Sequence, residues 1–289
     1  MKKYFISSLL FVSLMFTNIT DQENVNIFKF TVGNFEVTTL SEGQQKSGSS
    51  ILIGTSPEMI KKYAPDGTYP SACNAFLVQT TDKTILVDAG FGRNLFDNLE
   101  SQNVSAEKVD IILLTHMHGD HTGGLLRDGK VTFPNAQLYI AQAEHDYWMT
   151  VDSRGSVQAR NIIEAYKSQL HLFTPVDFEN TSTELISGVQ AIAAYGHTPG
   201  HTAYLLKSDN AQFLIWGDLT HAIAIQMPHP EISVTYDVNP NEAALTRKKT
   251  LEYVEKNKIP VAGMHIAFPA MGNIKASAVE GYEFEPLQK

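Results

Sequence analysis

Leu114-Thr115-His116-Met117-His118-Gly119-Asp120-His121 is the stretch on which the reading of this chain turns. Three imidazoles and one carboxylate stand within six residues, directly after the apolar run Val109-Asp110-Ile111-Ile112-Leu113-Leu114. Such a run predicts a short buried strand, which puts the ligand-type side chains in the loop at its carboxyl end. Neutral imidazole and carboxylate are the ligand set of zinc and related first-row metals. An apolar core has no use for four polar groups at one strand end, so the stretch reads as a metal loop.

Moving outward, other apolar runs end in the same way. Residues 189–195 form a strand-like run that leads into Gly196-His197-Thr198-Pro199-Gly200-His201. Residues 213–216 lead into Gly217-Asp218, and residues 261–264 into His265. Ligands of open α/β sheets gather at the carboxyl ends of strands, so these groups are expected to meet, provided that the strands lie side by side. Five histidines and two aspartates are more than one tetrahedral zinc can use. They suit two cations about 3.5–4 Å apart that clamp a shared hydroxide and lower the pKa of its parent water. Asp218 is the carboxylate outside the loop that can bridge them. Asp88, after the strand at residues 84–87, either orients a metal ligand from behind or caps the helix at 94–100.

The remaining pattern is that of a layered α/β chain. Gly33-Asn34 between two β-like runs predicts a hairpin, and the polar residues 41–50 predict a loop. Strands are expected at 74–80, 137–141 and 202–207, with a last edge strand at 283–284. Helices are expected from Ser56-Pro57-Glu58 and at 144–150, 157–170 and 241–257. The last is capped by Asn239 or Asn241 and carries a basic Arg247-Lys248-Lys249 face turned to solvent. His145, His171, His221 and His229 read as surface or packing residues, with substrate contact open to His221 and His229. Trp216 reads as core.

Composition bounds the function classes. With 289 residues, 43% of them hydrophobic and 18% charged, the chain can bury a sizeable core, and one domain over residues 21–289 is expected. A net charge of -9 repels phosphate backbones, so nucleic acid is not an expected partner. Met1-Lys2-Lys3 and the apolar residues 4–16 form a basic and then a hydrophobic segment too short to span a bilayer. Residues 1–20 therefore read as an export signal, placing the protein in the periplasm or outside the cell with no stable membrane insertion afterwards. The one cysteine, Cys73, reads as a small buried hydrophobe.

Taken together, T-H-x-H-x-D-H at 115–121, G-H-T-P-G-H at 196–201, Gly217-Asp218 and Met264-His265 resemble the metallo-β-lactamase superfamily. Within it, Thr132-Phe133-Pro134-Asn135-Ala136, Asp146-Tyr147-Trp148 and residues 265–272 are similar to the methyl parathion hydrolase-like group. The resemblance implies an α/β fold: an αββα sandwich of two packed mixed β-sheets flanked by helices. It implies two divalent metal ions, zinc first, with manganese, iron or cobalt as alternatives. His116, His118 and His197 would hold one; Asp120, His121 and His265 the other; Asp218 would bridge. Asp120 and Asp218 are the catalytic carboxylates of that scheme, and His201 is not a ligand. Trp148 matches an aromatic of the family's pocket, and Phe91 and Phe96 are further candidates without a motif.

The activity expected is hydrolysis of a neutral ester-like small molecule: a lactone or an aryl or carboxylic ester, with a phosphotriester such as methyl parathion compatible. β-Lactamase or thioesterase activity is the nearest alternative. The 24 residues after His265 are short of the substrate domain of a glyoxalase II-type thioesterase. A non-catalytic metal- or ligand-binding protein and a redox di-iron protein are the other classes weighed. A homodimer is left open.

Overall fold

Strand residues point alternately to opposite faces, and here the alternation sorts the apolar residues into two cores. A computed structural model describes residues 26–180 and 184–288. The expected export signal lies outside the described residues, and among these no helix is long and apolar enough to cross a membrane. One sheet contains, in spatial order, β1 (Ile27–Val32), β2 (Phe35–Gly48), β3 (Thr68–Gln79), β4 (Thr84–Val87), β5 (Ile111–Leu113), β6 (Gln137–Ala141) and β7 (Leu170–Phe173). The first four are antiparallel neighbours, and β4 to β7 run parallel. The second sheet contains β8 (Val189–Ala193), β9 (Thr202–Ser208), β10 (Ala211–Ile215), β11 (Val261–Ala262), β12 (Met271–Ala276) and β13 (Tyr282–Pro286).

Phe76, Val78, Ile85, Val87, Ile111 and Leu113 share a core with Leu205, Leu214 and Ile215 of the second sheet. Their neighbours Ala75, Leu77, Leu86 and Ile112 turn the other way, onto Leu95, Leu99, Trp148 and Ile162. Those four belong to α2 (Leu95–Ser101), α4 (Gln142–Thr150) and α5 (Ser156–Ala165). On the second sheet α7 (Pro240–Asn257) contributes Leu251 and Val254. Its N-cap is Asn239, whose Oδ1 accepts from Glu242 N–H. This is the αββα sandwich that the motifs imply.

Two segments depart from the sequence reading: the helix expected over 157–170 ends at Ala165, with Leu170 already in β7, and the polar stretch after residue 40 is extended. Residues 41–48 are not a loop: β2 continues to Gly48 and pairs with β3 back to Thr68, with a register shift between Ser41 and Gly43. The two strands extend as a ribbon beyond the sheet, where exposed residues such as Gln45 and Lys46 need no apolar partner. A polar strand of this kind has no hydrophobic alternation to betray it. At the ribbon's end Tyr69 is buried with Leu52, Ala64, Ile225, Ile232 and Val234. That small core supports α1 (Pro57–Tyr63) and α6 (Ile223–Gln226).

Candidate metal centre

The expected ligands converge, but by a different route from strand ends side by side. β5, which leads to residues 116–121, lies in the first sheet. β8, β10 and β11, which lead to His197, Asp218 and His265, lie in the second. Face-to-face packing brings the two sets of strand ends to one edge of the sandwich. α3 (Gly119–Thr122) starts within the loop and carries Asp120 and His121. Gly217 must be glycine, since its φ is +61° and a Cβ would come within 2.4 Å of the His201 ring.

Four of the five candidate rings are aimed by an acceptor behind them. His121 Nδ1–H donates to Asp88 Oδ2 at 2.6 Å. Thr115 donates its N–H to Asp88 Oδ1 (2.8 Å) and its hydroxyl to Oδ2 (2.7 Å). The Thr115 proton being spent there, His116 Nδ1 is the donor in its 3.1 Å contact with Thr115 Oγ1. His197 Nδ1–H donates to Asp237 Oδ1 (2.8 Å) and His265 Nδ1–H to the Ala72 carbonyl (2.9 Å). With the outer nitrogen anchored, the inner Nε2 of all four rings faces the cluster, as second-sphere acceptors do for metal-bound histidines. Asp88 thus takes the orienting role and not the capping one, and it does so at a left-handed φ of +58°. The start of α2 is held instead by Glu42, which accepts N–H bonds from Phe91, Gly92, Asn94 and Leu95.

The inner atoms of the expected ligands form two linked groups, and Asp218 and His265 make a third with His221. His116 Nε2, His118 Nδ1 and His197 Nε2 lie 2.9, 3.2 and 3.0 Å apart. Asp120, His121 and His265 make the second group. Asp218 stands between them: its Oδ2 is 3.3 Å from His197 Nε2 and 3.0 Å from His265 Nε2, and its Oδ1 is 3.2 Å from His121 Nε2. His121 Nε2 and Asp218 Oδ1 are buried without a hydrogen-bond partner. Two opposed acceptor-type atoms left unpaired at that depth are costly, and a shared cation satisfies both. The donor set therefore fits divalent metal ions.

The electrostatics agree. Burial, reinforced by neighbouring histidine charge, pushes His116 well below its ordinary value and His118 to about 3, holding both in the ligating neutral form. Burial also opposes charge on His121, His197 and His265, yet the carboxylates of Asp218, Asp88, Asp120 and Asp237 outweigh it. His197 is raised to about 9 and the other two are raised as well. The carboxylates thus demand positive charge where the inner nitrogens point. His201 is outside this set: Nδ1–H donates to the Ala194 carbonyl at 2.7 Å, and Nε2 accepts from Asp218 N–H at 2.9 Å. Both its nitrogens are used, and burial lowers it to about 3.

Three residues of the site escaped the sequence reading. Asp237 orients His197 but lies in Tyr236-Asp237-Val238, where no motif marks it. Glu144 is buried and ties the two ligand loops together. It accepts from Met117 N–H (2.9 Å) on one side, and from Thr198 Oγ1–H (2.5 Å) and Gly200 N–H (3.1 Å) on the other. Its position four residues before Trp148, on one helix face, was the available signal. His221, read as surface or packing with contact open, has Nε2 3.1 Å from Asp218 Oδ2 and its ring stacked 4.8 Å from that of His265.

The aromatic expectations divide. Trp148 donates its indole N–H to Glu144 (2.6 Å), and its ring meets His118 edge-on at 5.7 Å. Phe91 is partly exposed, with Arg93 4.5 Å over its ring. Phe96 is a correction. It stacks on Phe133 at 6.0 Å and lines a cavity with Leu99, Asn103 and Val104, which includes none of the cluster. As part of the packing around α2 it does not reach the pocket. His145 and His171 bond to Asp146 and Gln137 and stay outside the site. Trp216 and Cys73 are buried as expected; burial raises the Cys73 thiol to about 12.

The fold and this constellation define a class, and comparison with known proteins gives the same one. The profile of the Metallo-beta-lactamase superfamily matches residues 68–258. The chain belongs to that superfamily. The structure of AidC, a dizinc quorum-quenching lactonase, in complex with a product N-hexnoyl-L-homoserine superposes with a TM-score of 0.82 at 26% identity. It covers 91% of this chain and 98% of that one. A hydrolase of the same superfamily, AbOPH, gives 0.80 at 27% identity, covering 92% and 98%. Among curated sequences, the uncharacterized protein YobT of Bacillus subtilis (strain 168) is 29% identical over 132 residues, 46% of this chain and 56% of its own. The chain thus spans about half the length of the curated relatives that it matches.

Proposed function

We propose that this chain is a dinuclear metal-dependent hydrolase of neutral lactones or carboxylic esters, with phosphotriesters as secondary substrates. The observation that carries the reading is the bridging position of Asp218. Its Oδ2 lies within 3.3 Å of a histidine from each ligand group, and its Oδ1, 3.2 Å from His121 Nε2, is buried without a hydrogen-bond partner. His116, His118 and His197 would hold one ion, and Asp120, His121 and His265 the other, with zinc the first choice. Bound there, the ions would supply a Lewis acid for the ester carbonyl and lower the pKa of a water to make a nucleophile.

The protein's own groups supply the rest. Asp88, Asp237 and the Ala72 carbonyl hold protons on the outer nitrogens of His121, His197 and His265, so that no step has to reorient those rings. The Asp120 side chain is 26% exposed where that of Asp218 is 2%. Asp120 would therefore be the carboxylate that takes the proton of the attacking water and passes it to the leaving alkoxide. His221 Nε2 stands 3.1 Å from Asp218 Oδ2 and packs against that carboxylate. Tyr236, 54% exposed and 6.1 Å from the His221 ring, offers an apolar face at the rim. Likeness to a lactonase structure supports the ester class, and the absence of any ligand cysteine from the cluster weighs against a β-lactamase proper. The basic and apolar residues 1–16 support export to the periplasm or beyond.

Metal analysis of the purified protein together with a panel of lactones, aryl esters, thioesters, phosphotriesters and β-lactams tests the proposal. Two ions per chain and preferred turnover of a lactone or carboxylic ester are expected. Two ions with no turnover of any ester would overturn it, as would a preference for β-lactams.

A further inference from the structure

The segment 219–232 joins Asp218 to the short strand Ser233–Val234, which pairs with Leu52–Ile53, and carries His221. Asp218 itself follows a strand paired on both sides. The segment beyond it has only the four residues of α6 as regular structure, yet most of it is buried. Two buried polar side chains hold it. Gln226 Oε1 accepts from His221 N–H (2.7 Å) and Ala222 N–H (2.9 Å), while its Nε2–H donates to the Ile232 carbonyl (2.9 Å).

The second is Arg247, which the sequence reading placed on a solvated face. It is 1% exposed instead, because α7 turns it inward. Its Nε–H donates to the Leu219 carbonyl (2.7 Å), and Nη1 donates to the carbonyls of Pro230 (2.9 Å) and Ile232 (2.7 Å). Taking a guanidinium out of water is expensive unless its donors are matched. Burial lowers Arg247 only to about 10, so it keeps its charge at neutral pH. All three of these acceptors are main-chain carbonyls of one segment. Arg247 and Gln226 meet on the Ile232 carbonyl and close a ring of contacts around residues 219–232.

We propose that Arg247 and Gln226 are positioning residues that lock segment 219–232 so that His221 is held against Asp218. Arg247 reaches the site through that segment and touches none of the seven expected ligands. The kinetic consequence rests on the hydrolase reading above; the structural consequence does not.

Hydrogen exchange on the metal-loaded protein tests the lock without using activity. The amides of His221 and Ala222 should exchange at least about 100-fold slower than those of an exposed turn such as 128–129. Arg247→Lys keeps the charge and loses the planar fork. It should speed exchange across 219–232 about tenfold or more, while peptides covering β5 and β10 stay protected and the metal content is unchanged. Gln226→Ala gives a second reading should the lysine variant fail to fold. Unprotected exchange at His221 in the unaltered protein overturns the proposal whatever the variants do, and so does unchanged exchange in a folded variant.

A double-mutant cycle then separates positioning from general destabilisation. Arg247→Lys should lower kcat/KM about tenfold, mainly through kcat, but by less than about twofold when His221 is already alanine. Equal losses in both backgrounds overturn the proposal. If the unaltered enzyme hydrolyses no ester, the functional reading falls, and the exchange result still decides the positioning.

Discussion

The two halves of the candidate metal centre are built by different means. His116, His118, Asp120 and His121 come from one loop after β5, and residues close in the chain or in the same sheet aim them. Asp88 and Thr115 do this for His116 and His121. His197, Asp218 and His265 come from three separate strand ends, and their supports come from farther away: Asp237, the Ala72 carbonyl, and segment 219–232 with Arg247 behind it. The loop half is set mainly by local spacing and the other half by packing. A distant change should therefore disturb His197, Asp218 and His221 before it disturbs His116.

The comparison can be broken most severely where the halves meet. Asp218→Ala removes the one group that faces both, and should lose both ions and at least about 1,000-fold in kcat/KM. Metal analysis and kinetics measure this together, and retention of two ions would remove Asp218 from the bridge. Next come the orienting carboxylates. Asp88→Ala and Asp237→Ala should each weaken metal affinity about 10–100-fold, read by competition with a chelator. They should differ in stability. Asp88 accepts three bonds in full burial, whereas Asp237 accepts two. Each buried donor left unpaired costs about 1–3 kcal/mol, so the Asp88 variant should unfold at lower denaturant. Equal midpoints would contradict the asymmetry.

Glu144→Gln addresses the strap between the loops. An amide cannot accept at both ends as a carboxylate does, so at least one of four donors turns against it. A loss of about 1–3 kcal/mol in unfolding free energy is expected, with a smaller fall in activity than for Asp88→Ala. The smallest effect belongs to the rim. Tyr236→Ala should raise KM for long-chain or aromatic esters about two- to fivefold, with little change for short ones, and leave the thermal midpoint within about 1 °C. An equal change for all esters would take Tyr236 out of substrate contact.

How much was legible from the sequence follows the same division. The seven residues of the cluster could be named because imidazole and carboxylate have few other reasons to sit at the ends of apolar runs. Trp148, read as an aromatic of the pocket, is 3% exposed and spends its indole N–H on Glu144, a placement that its neighbours Asp146 and Tyr147 do not reveal. Phe96 could not be judged, because an aromatic on a short helix looks the same whether it faces a pocket or a core. Asp237 and Glu144 were missed because single carboxylates in ordinary surroundings gain their meaning only from what donates to them. Arg247 was misread for the same reason: among Arg247-Lys248-Lys249, only the turn of α7 against the segment decides which cation is buried.

The sequence by itself determined the strand-end placement of the candidate ligands and the metal chemistry open to them, since those depend on residue type and short-range period, while the sandwich class followed from the resemblance that the motifs carry. The tertiary structure alone decided that the ligands arrive from two sheets, that Asp218 faces both groups, and that the polar residues 41–48 form a strand. It also decided which buried acceptors aim each ring. The reason is physical: a hydrogen bond between residues far apart in the chain leaves no periodic trace, because its partners are matched in space and not in sequence.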